Sequence, residues 1–407
     1  MSAVAQIPVE SLSLEALKAR VPAIVEGIRK GAIARDLNRE LPFAAFQLIK
    51  DAKLGAIRVP RSLGGPGGKP SDFIWLIAKL GEGDSNVAHA LRSHFNFTEH
   101  LALDPTGAKA RAHAELVLQG KLFAGAHTEQ GGPKPGEIST RLTKGPNGWR
   151  LNGRKWYATG TAFADYASFS AKGDDDKLTG VLVPANRKGI TILDDWDGMG
   201  QKLTASGGVL LDDVEVFEHE IGGRVMDDLI GRHSSTSRQL HLAASAIGAV
   251  RALLDEGIAY VRAQARSAQH STAPTAREDH FVQKVVGELS ARSFALDAVL
   301  NESARALDDT AEAFASGDAD RLEKALVTSS LATSRTQLVL AELGLKAAEQ
   351  VFELGGGSAT SSKLNLDRHW RNIRTVLNHN PLLHKARVVG DYLVNGTTTH
   401  LKEGKVF

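Results

Sequence analysis

Three stretches of helical periodicity, Leu240 to Ala265, Ala276 to Leu307 and Arg321 to Leu354, constrain the fold of this chain most. Their apolar residues recur three and four positions apart, which lines one face of a helix. Only a short break at Ala315-Ser316-Gly317-Asp318 separates the last two, and long helices joined this way pack antiparallel. Residues 233–407 therefore read as a C-terminal four-helix bundle. Upstream the pattern changes twice. Leu14, Leu17, Val21, Ile24, Val25 and Ile28 keep helical spacing, and a second helix is expected from Pro42 to Lys53. Asp84-Ser85-Asn86 caps a further helix carrying His89, His94 and His100. Residues 1–120 thus read as an N-terminal helical domain. Between these units, Trp149 to Gly153 and Tyr166 to Ser170 alternate, with turn signals at Pro146-Asn147-Gly148 and Gly173-Asp174-Asp175. Short strands bounded by such turns mark residues 121–232 as a small central β-domain. The expected fold class is α+β.

Composition removes several classes of function. The chain has 407 residues, 42% of them hydrophobic, enough to bury a large core. Its formal net charge is +2 with the signs interspersed, so no nucleic-acid surface is expected. Cysteine is absent, which rules out disulfides, thiolate metal sites and cysteine nucleophiles, and fits a reducing cytoplasm. No apolar run reaches membrane-spanning length, and the N-terminus lacks the basic-then-apolar pattern of a signal peptide; a cytoplasmic protein without a membrane partner is expected. His89, His94 and His100 are five and six positions apart, unlike a helical metal pair, and no acidic residue stands at ligand spacing, so no metal is expected. No G-x-G-x-x-G follows a strand, so no dinucleotide fold is visible.

The stretch from Asp367 to Pro381 reads as a helix, a sharp break and a second helix. Pro381 lacks an N–H and drives Asn380 out of the α region, so the first helix ends before it. Asn380 suits the N-cap, and Pro381 the first turn, of a helix from Leu382 to Asn395. His379 is left on the elbow beside a helix N-terminus, which favours negative charge. Two readings of it stay open: a surface turn histidine, and a titratable ring that assists proton transfer near an anion.

The same segment resembles the C-terminal end of the acyl-CoA dehydrogenase family, where a motif R-D-x-x-x-x-x-x-Y-E-G-T carries the glutamate that removes the substrate's α-proton. Arg371 and Asn372 fall on its first two positions, and His379-Asn380-Pro381-Leu382 on its last four. The base position is therefore Asn380, and an amide cannot accept that proton. A His-Asn-Pro elbow is similar instead to the flavin monooxygenase branch of the same fold, the dibenzothiophene and alkyl-sulfone monooxygenases. Further motifs follow in order. Pro60 with Gly64-Gly65 matches the family's P-x-x-x-G-G turn, and Ala126-His127-Thr128-Glu129 resembles its A-x-T-E strand end. Leu151-Asn152-Gly153-Arg154-Lys155-Trp156-Tyr157-Ala158-Thr159-Gly160 resembles L-N-G-x-K-x-W-I-T-N. The run from Gly198 to Ser206, with Leu211-Asp212-Asp213-Val214 after it, resembles G-M-R-G-S-x-T and its trailing F-x-D-V. Gly355-Gly356-Gly357 matches the G-G-x-G turn.

The resemblance implies a set of roles. Thr128, Tyr157 and Thr159 would border the flavin ring, Thr159 toward N5 and O4, where short hydroxyls on rigid strand ends suit the ring-edge atoms. An arginine at the Arg266 position grips the flavin phosphate, usually from a neighbouring subunit, with Gly355, Gly356 and Ser358 at the phosphate turn. By itself Arg266 reads equally as a solvated helix-end charge. His94 falls where the branch has a pocket histidine and reads equally as a buried structural one. Phe97 and Phe163, with Phe95 and Asn96 near the former, would wall the substrate pocket. The dehydrogenases place a glutamine against the adenine of FAD; Phe352 stands there, which favours FMN. Residues 130–142 form a longer Gly/Pro loop than the dehydrogenases have, expected as a mobile lid.

The implied activity is a two-component flavin-dependent monooxygenase. Reduced FMN, delivered by a separate NAD(P)H flavin reductase, would react with O2 to a C4a-hydroperoxyflavin that oxygenates an organosulfur compound of thiophene, sulfide or sulfone type. His379, Asn380 and His94 would be the catalytic residues, and a homotetramer the assembly. Hydroxylation at nitrogen or carbon, and acyl-CoA dehydrogenation, are the alternatives.

Overall fold

The structure, a computed structural model, describes residues 12–131, 136–146, 148–222 and 229–402. It opens on helices α1 (Leu14–Arg29), α2 (Ala32–Asn38), α3 (Phe43–Asp51), α4 (Pro70–Gly83), α5 (Ser85–Ala90), α6 (Arg92–Leu103) and α7 (Ala110–Leu118). Strands follow: β1 (Phe123–Ala126), β2 (Arg141–Gly145), β3 (Gly148–Trp156), β4 (Tyr166–Lys172), β5 (Leu178–Pro184), β6 (Ile190–Ile192), β7 (Gly208–Val216) and β8 (Ile221–Gly222). The chain then returns to helices α8 (Leu229–Ala263), α9 (His280–Ser316), α10 (Ala319–Gln350), α11 (Asp367–Leu377), α12 (Leu382–Asn395) and α13 (Thr399–Lys402). This is the expected α+β order, helices on either side of a β-domain. No helix among the described residues is long and apolar enough to cross a membrane.

The break between α9 and α10 is built as its residues dictate. Gly317 caps α9 at a left-handed φ of 70°, and Asp318 caps α10 by accepting from Arg321 N–H at 2.9 Å. Helices α8, α9 and α10 pack on one another, α11 lies against α8 and α10, and α12 against α10. The N-terminal helices are not a body apart. Helix α4 packs along α8, and one apolar core runs from Leu17 through Phe73, Ile77 and Leu240 to Ile373. The β-domain keeps its own core, including Leu142, Leu151, Phe169, Val181 and Val209. Its sheet runs β6-β7-β3-β2-β4-β5-β8, with β1 pairing parallel to β4. Alternate side chains face that core; Val209, Leu211, Val214 and Val216 do so along β7, whose pairing with β3 is shifted by an irregularity between Leu151 and Gly153.

Two expected helices differ. The one placed at Pro42 to Lys53 runs Phe43–Asp51, because Pro42 takes a non-helical ψ of 48° and stands outside as the N-cap. The helix expected to carry three histidines is two. Asp84 does cap α5 through Asn86 N–H at 3.0 Å, but at Leu91 the N–H turns to the carbonyls of Ala88 and His89, so His89 stays on α5 while His94 and His100 begin again on α6.

Candidate functional site

The site starts where β1 and β3 end side by side. Thr128 Oγ1 donates to the Trp156 carbonyl and accepts from Tyr157 N–H at 3.2 Å, while Trp156 N–H donates to Thr128 O at 2.9 Å. Three bonds thus join the two strand ends into one edge, with a cis peptide between Trp156 and Tyr157. Beneath it Lys155, wholly enclosed, donates from Nζ to Glu129 Oε1 at 2.6 Å. Glu129 also accepts from Ser139 N–H at 2.7 Å and from the Thr140 hydroxyl at 2.6 Å. Burial alone would raise the Glu129 carboxyl; Lys155 and the two hydroxyls overcome it and hold the pKa at about 2. Tyr157 is 55% exposed and stands edge-on to Trp196, ring centroids 5.9 Å apart.

From this edge a chain of hydroxyls leads inward. Thr159 Oγ1 lies 2.8 Å from Ser206 Oγ, and Ser206 Oγ 2.6 Å from Thr204 Oγ1, which donates to Gln201 O at 2.8 Å. Gln201 N–H donates to Asn372 Oδ1 at 2.6 Å, and its Oε1 accepts from His89 Nδ1 at 3.1 Å. The loop after β6 is thereby fastened to both α5 and α11. Two glycines permit the approach: a Cβ on Gly160 would meet Ala90 O at 2.2 Å, and one on Gly200 would meet Arg371 O at 2.0 Å. Arg371 is structural, paired with Asp36 at 2.7 Å and Asp367 at 2.7 Å.

The elbow lies above His89. Asn380 is not the N-cap of α12. Pro381 itself occupies the extended cap position, φ −62° and ψ 115°, which leaves Asn380 one residue too early to reach the free N–H groups. Its side chain turns back instead, and Oδ1 accepts from His379 Nδ1 at 2.6 Å. His379 keeps accessible surface on one side and is crowded by Arg92, His89 and Arg238 on the others. Burial first, then the charge of Arg92, press its pKa well below the ordinary 6.5, against the hydrogen bond to Asn380. The near-neutral titration expected of this ring is therefore corrected. The shift favours the neutral ring, with Nδ1–H given to Asn380 and Nε2 without a partner among the described residues.

His94 resolves the other way. Only 1% exposed, it donates from Nε2 to Gly55 O at 3.0 Å and accepts at Nδ1 from Phe123 N–H at 3.2 Å. Burial pushes its pKa down to about 4. Both nitrogens are committed to backbone, the geometry of the structural reading. Phe97 stacks on Phe123 at 4.0 Å, and Phe163 stacks on Phe46 at 4.0 Å with Phe43 at its edge, so Phe163 belongs to the core. Arg266 lies exposed past the end of α8, without an ion pair among the described residues. Gly355, Gly356 and Ser358 follow α10 in short 3-10 turns at the same end of the bundle; a Cβ on Gly355 would meet the Tyr260 hydroxyl of α8 at 2.3 Å. No hydrogen bond among the described residues joins this group to Thr128, Tyr157 or Thr159. The expected lid, residues 130–142, falls partly outside the described residues, which omit 132–135. Sequence reasoning missed Arg92, Arg238, His89, Gln201 and Lys155. Lys155 and Gln201 stand inside quoted motifs and His89 was weighed only as a metal ligand; Arg92 and Arg238 carry no local signal.

A bundle of long helices packed against N-terminal helices and a β-domain, with hydroxyl-bearing strand ends at their junction, defines the acyl-CoA dehydrogenase architecture. Residues 124–214 match the acyl-CoA dehydrogenase middle domain and residues 240–382 the acyl-CoA dehydrogenase C-terminal domain, and the chain belongs to that family. Among curated relatives, the probable FMNH2-dependent monooxygenase SfnC of Pseudomonas putida is 25% identical, the match covering 89% of this chain and 91% of that one. Dibenzothiophene monooxygenase of Rhodococcus erythropolis is 26% identical, covering 92% of each. Among solved structures, TdsC of Paenibacillus with FMN and indole superposes with a TM-score of 0.82 at 21% identity, over 94% of this chain and 97% of that one. Methanesulfinate monooxygenase MsuC of Pseudomonas fluorescens gives 0.77 at 25% identity, over 94% and 97%.

Proposed function

We propose that this protein is an FMNH2-dependent monooxygenase that oxygenates a small organosulfur compound. The observation that carries the reading is the elbow. The position at which the dehydrogenases hold a carboxylate base is an amide, hydrogen-bonded to a histidine held toward its neutral form whose Nε2 has no partner among the described residues. The polar chain from Thr159 through Ser206, Thr204 and Gln201 reaches His89, which faces that histidine, so ring edge and elbow belong to one site. The likeness to the probable FMNH2-dependent monooxygenase SfnC and to dibenzothiophene monooxygenase, over about nine-tenths of the chain, supports the same activity.

The donor set fits a flavin. Thr128 Oγ1 spends its proton on Trp156 O and one lone pair on Tyr157 N–H, leaving a second lone pair for a ring N–H. Thr159 and Ser206 share a proton network that can donate to a ring oxygen or nitrogen. Reduced FMN, when bound, would supply the two electrons that activate O2, one atom of which passes to the substrate and the other to water. His379 would accept a hydrogen bond at Nε2 and return the proton, and Asn380 fixes which nitrogen carries it. Glu129 and Lys155 brace the edge from below.

Arg266, Gly355, Gly356 and Ser358 would meet the FMN phosphate of a neighbouring copy in a homotetramer. Their exposure, and their separation from the ring edge, support this. So do apolar side chains open to solvent on the bundle, Phe281, Phe294, Leu383 and Val394. A cytoplasmic location and a separate reductase complete the proposal. The test is turnover with reduced FMN, O2 and a panel of sulfides, thiophenes, sulfinates, amines and phenols. An oxygenated sulfur product is expected; FMN binding with no oxygenated product across the panel would overturn it.

A further inference from the structure

The best-buried arginines of this protein meet carboxylates. Arg58 pairs with Glu99 at 2.7 Å, itself held by His233 at 3.0 Å, and Arg368 pairs with Glu256. The part-buried Arg35 and Arg371 pair with Asp84 and Asp36. Two part-buried arginines that meet no carboxylate among the described residues act on each other. Arg92, at the start of α6, makes no ion pair or hydrogen bond among the described residues, and its Nε is enclosed with no partner. Arg238, on α8, has one hydrogen bond among the described residues, from Nε to Ser234 O at 3.3 Å in its own helix. They act on each other and on His379, with His89 and His241 in the same cluster. His89 and His241 are neutral, pushed down to about 3 by burial, so neither supplies a counter-charge nor competes for one. Burial lowers Arg92 to about 9, the direction expected of a charge removed from water without compensation. A part-buried pair of cations with no anion beside it among the described residues is costly to maintain, and an arginine fork is shaped for an oxyanion.

We propose that Arg92 and Arg238 clamp the oxyanion of the substrate beside His379, which makes the substrate an organic sulfinate. The choice rests on the monooxygenase reading above. Among sulfur oxyanions a sulfinate keeps a lone pair on sulfur that can accept oxygen, and a sulfonate does not. The reaction balances: one oxygen atom of O2 bonds to sulfur, giving the sulfonate, the other leaves as water with the two protons of reduced FMN, and its two electrons reduce O2. The charge of the headgroup is unchanged, so the clamp holds substrate and product alike.

The experiment titrates the full-length, FMN-supplemented protein with methanesulfinate, neutral dimethyl sulfone and inorganic phosphate. It compares wild type with Arg92→Gln and Arg238→Gln. Methanesulfinate is expected to bind wild type and dimethyl sulfone far more weakly. Each substitution should weaken methanesulfinate by about tenfold or more, the scale of a lost charge-assisted hydrogen bond, while FMN affinity holds. Without ligand, each variant should melt no lower than wild type, because an uncompensated charge has been removed; Arg58→Gln, which orphans Glu99, should melt lower. Unchanged sulfinate binding in the variants, loss of FMN in its place, phosphate binding in preference to sulfinate, or variants that fail to fold would each overturn the clamp. Sulfinate bound but not oxygenated would sink the monooxygenase reading and leave the clamp standing. Thiophene oxygenation by a protein indifferent to sulfinate would do the reverse.

Discussion

Nδ1 of His379 lies 2.6 Å from Oδ1 of Asn380, and this contact sets the chemistry of the elbow. An amide oxygen can only accept, so the histidine proton sits on Nδ1 and the lone pair on Nε2. Burial of the ring first, and the charge of Arg92 second, favour its neutral form. A group whose folded pKa lies below its unfolded value stays deprotonated through neutrality and charges only in acid. With ring carbons isotopically labelled and His379→Ala used for assignment, the His379 resonance should not titrate between about pH 6 and 8, the range in which an unperturbed histidine near 6.5 would. Asn380→Asp places an anion at the same contact and should move the titration upward. A wild-type midpoint near 6.5 would refute the neutral elbow.

His379→Ala should uncouple oxygenation from flavin oxidation. The ring is not part of the strand-end edge built by Thr128, Tyr157 and Thr159, so FMN affinity should hold. Removal of one positioned polar group, by analogy with oxyanion-hole donors, costs roughly 2.7–4 kcal/mol of transition-state stabilisation, on the order of a hundredfold to a thousandfold in rate. Product and hydrogen peroxide formed per reduced FMN consumed measure it. Near wild-type product yield would return His379 to a turn residue.

The Lys155–Glu129 pair should be needed for stability. Lys155 is fully enclosed, and its replacement by Met leaves the Glu129 carboxylate without its cation. Breaking a buried pair from one side costs roughly 3–5 kcal/mol. Denaturant unfolding of Lys155→Met should show that loss. The pH dependence follows from the sign of the shift. Glu129 titrates at about 2 in the fold against 4.5 ordinarily, so its contribution is complete above pH 4.5 and drains away as the pH falls toward 2. Glu129→Gln should therefore lose less stability than wild type across that acid range. An identical acid limb in both would show that the pair contributes nothing.

Local order was legible in the sequence because it is written locally. Gly317-Asp318 had to end one helix and begin another, and Pro381 had to separate α11 from α12. The strand-end threonines announced themselves through their motif. What stayed hidden arises from convergence. Arg92 and Arg238 lie far apart in sequence and meet only because α6 packs on α8. His94 matched a pocket position, yet its partners, Gly55 O and Phe123 N–H, are backbone groups that no side-chain pattern reveals. Asn380 had cap chemistry, and Pro381 took the cap position by its own backbone angles. Periodicity marked the N-terminal helices but carries no record of the face that α4 presents to α8.

Acyl-CoA thioesters should not reduce the bound flavin. Dehydrogenation needs a carboxylate to take the α-proton, and Asn380 has neither the charge nor a free acceptor, its Oδ1 being engaged by His379. Asn380→Glu restores the carboxylate in name only. The new group would stand beside His379, in the field of Arg92 and Arg238, and cations at that range lower a carboxyl pKa and weaken it as a base. It would also pair with the arginines and occupy the place proposed for the substrate headgroup. Under anaerobic mixing with butyryl-CoA or octanoyl-CoA, the oxidised flavin band of both proteins should persist, and the variant should also lose oxygenation activity. Rapid bleaching of the wild-type flavin by either thioester would overturn the monooxygenase assignment. Bleaching by the variant alone would show that the carboxylate was the one missing part of a dehydrogenase site.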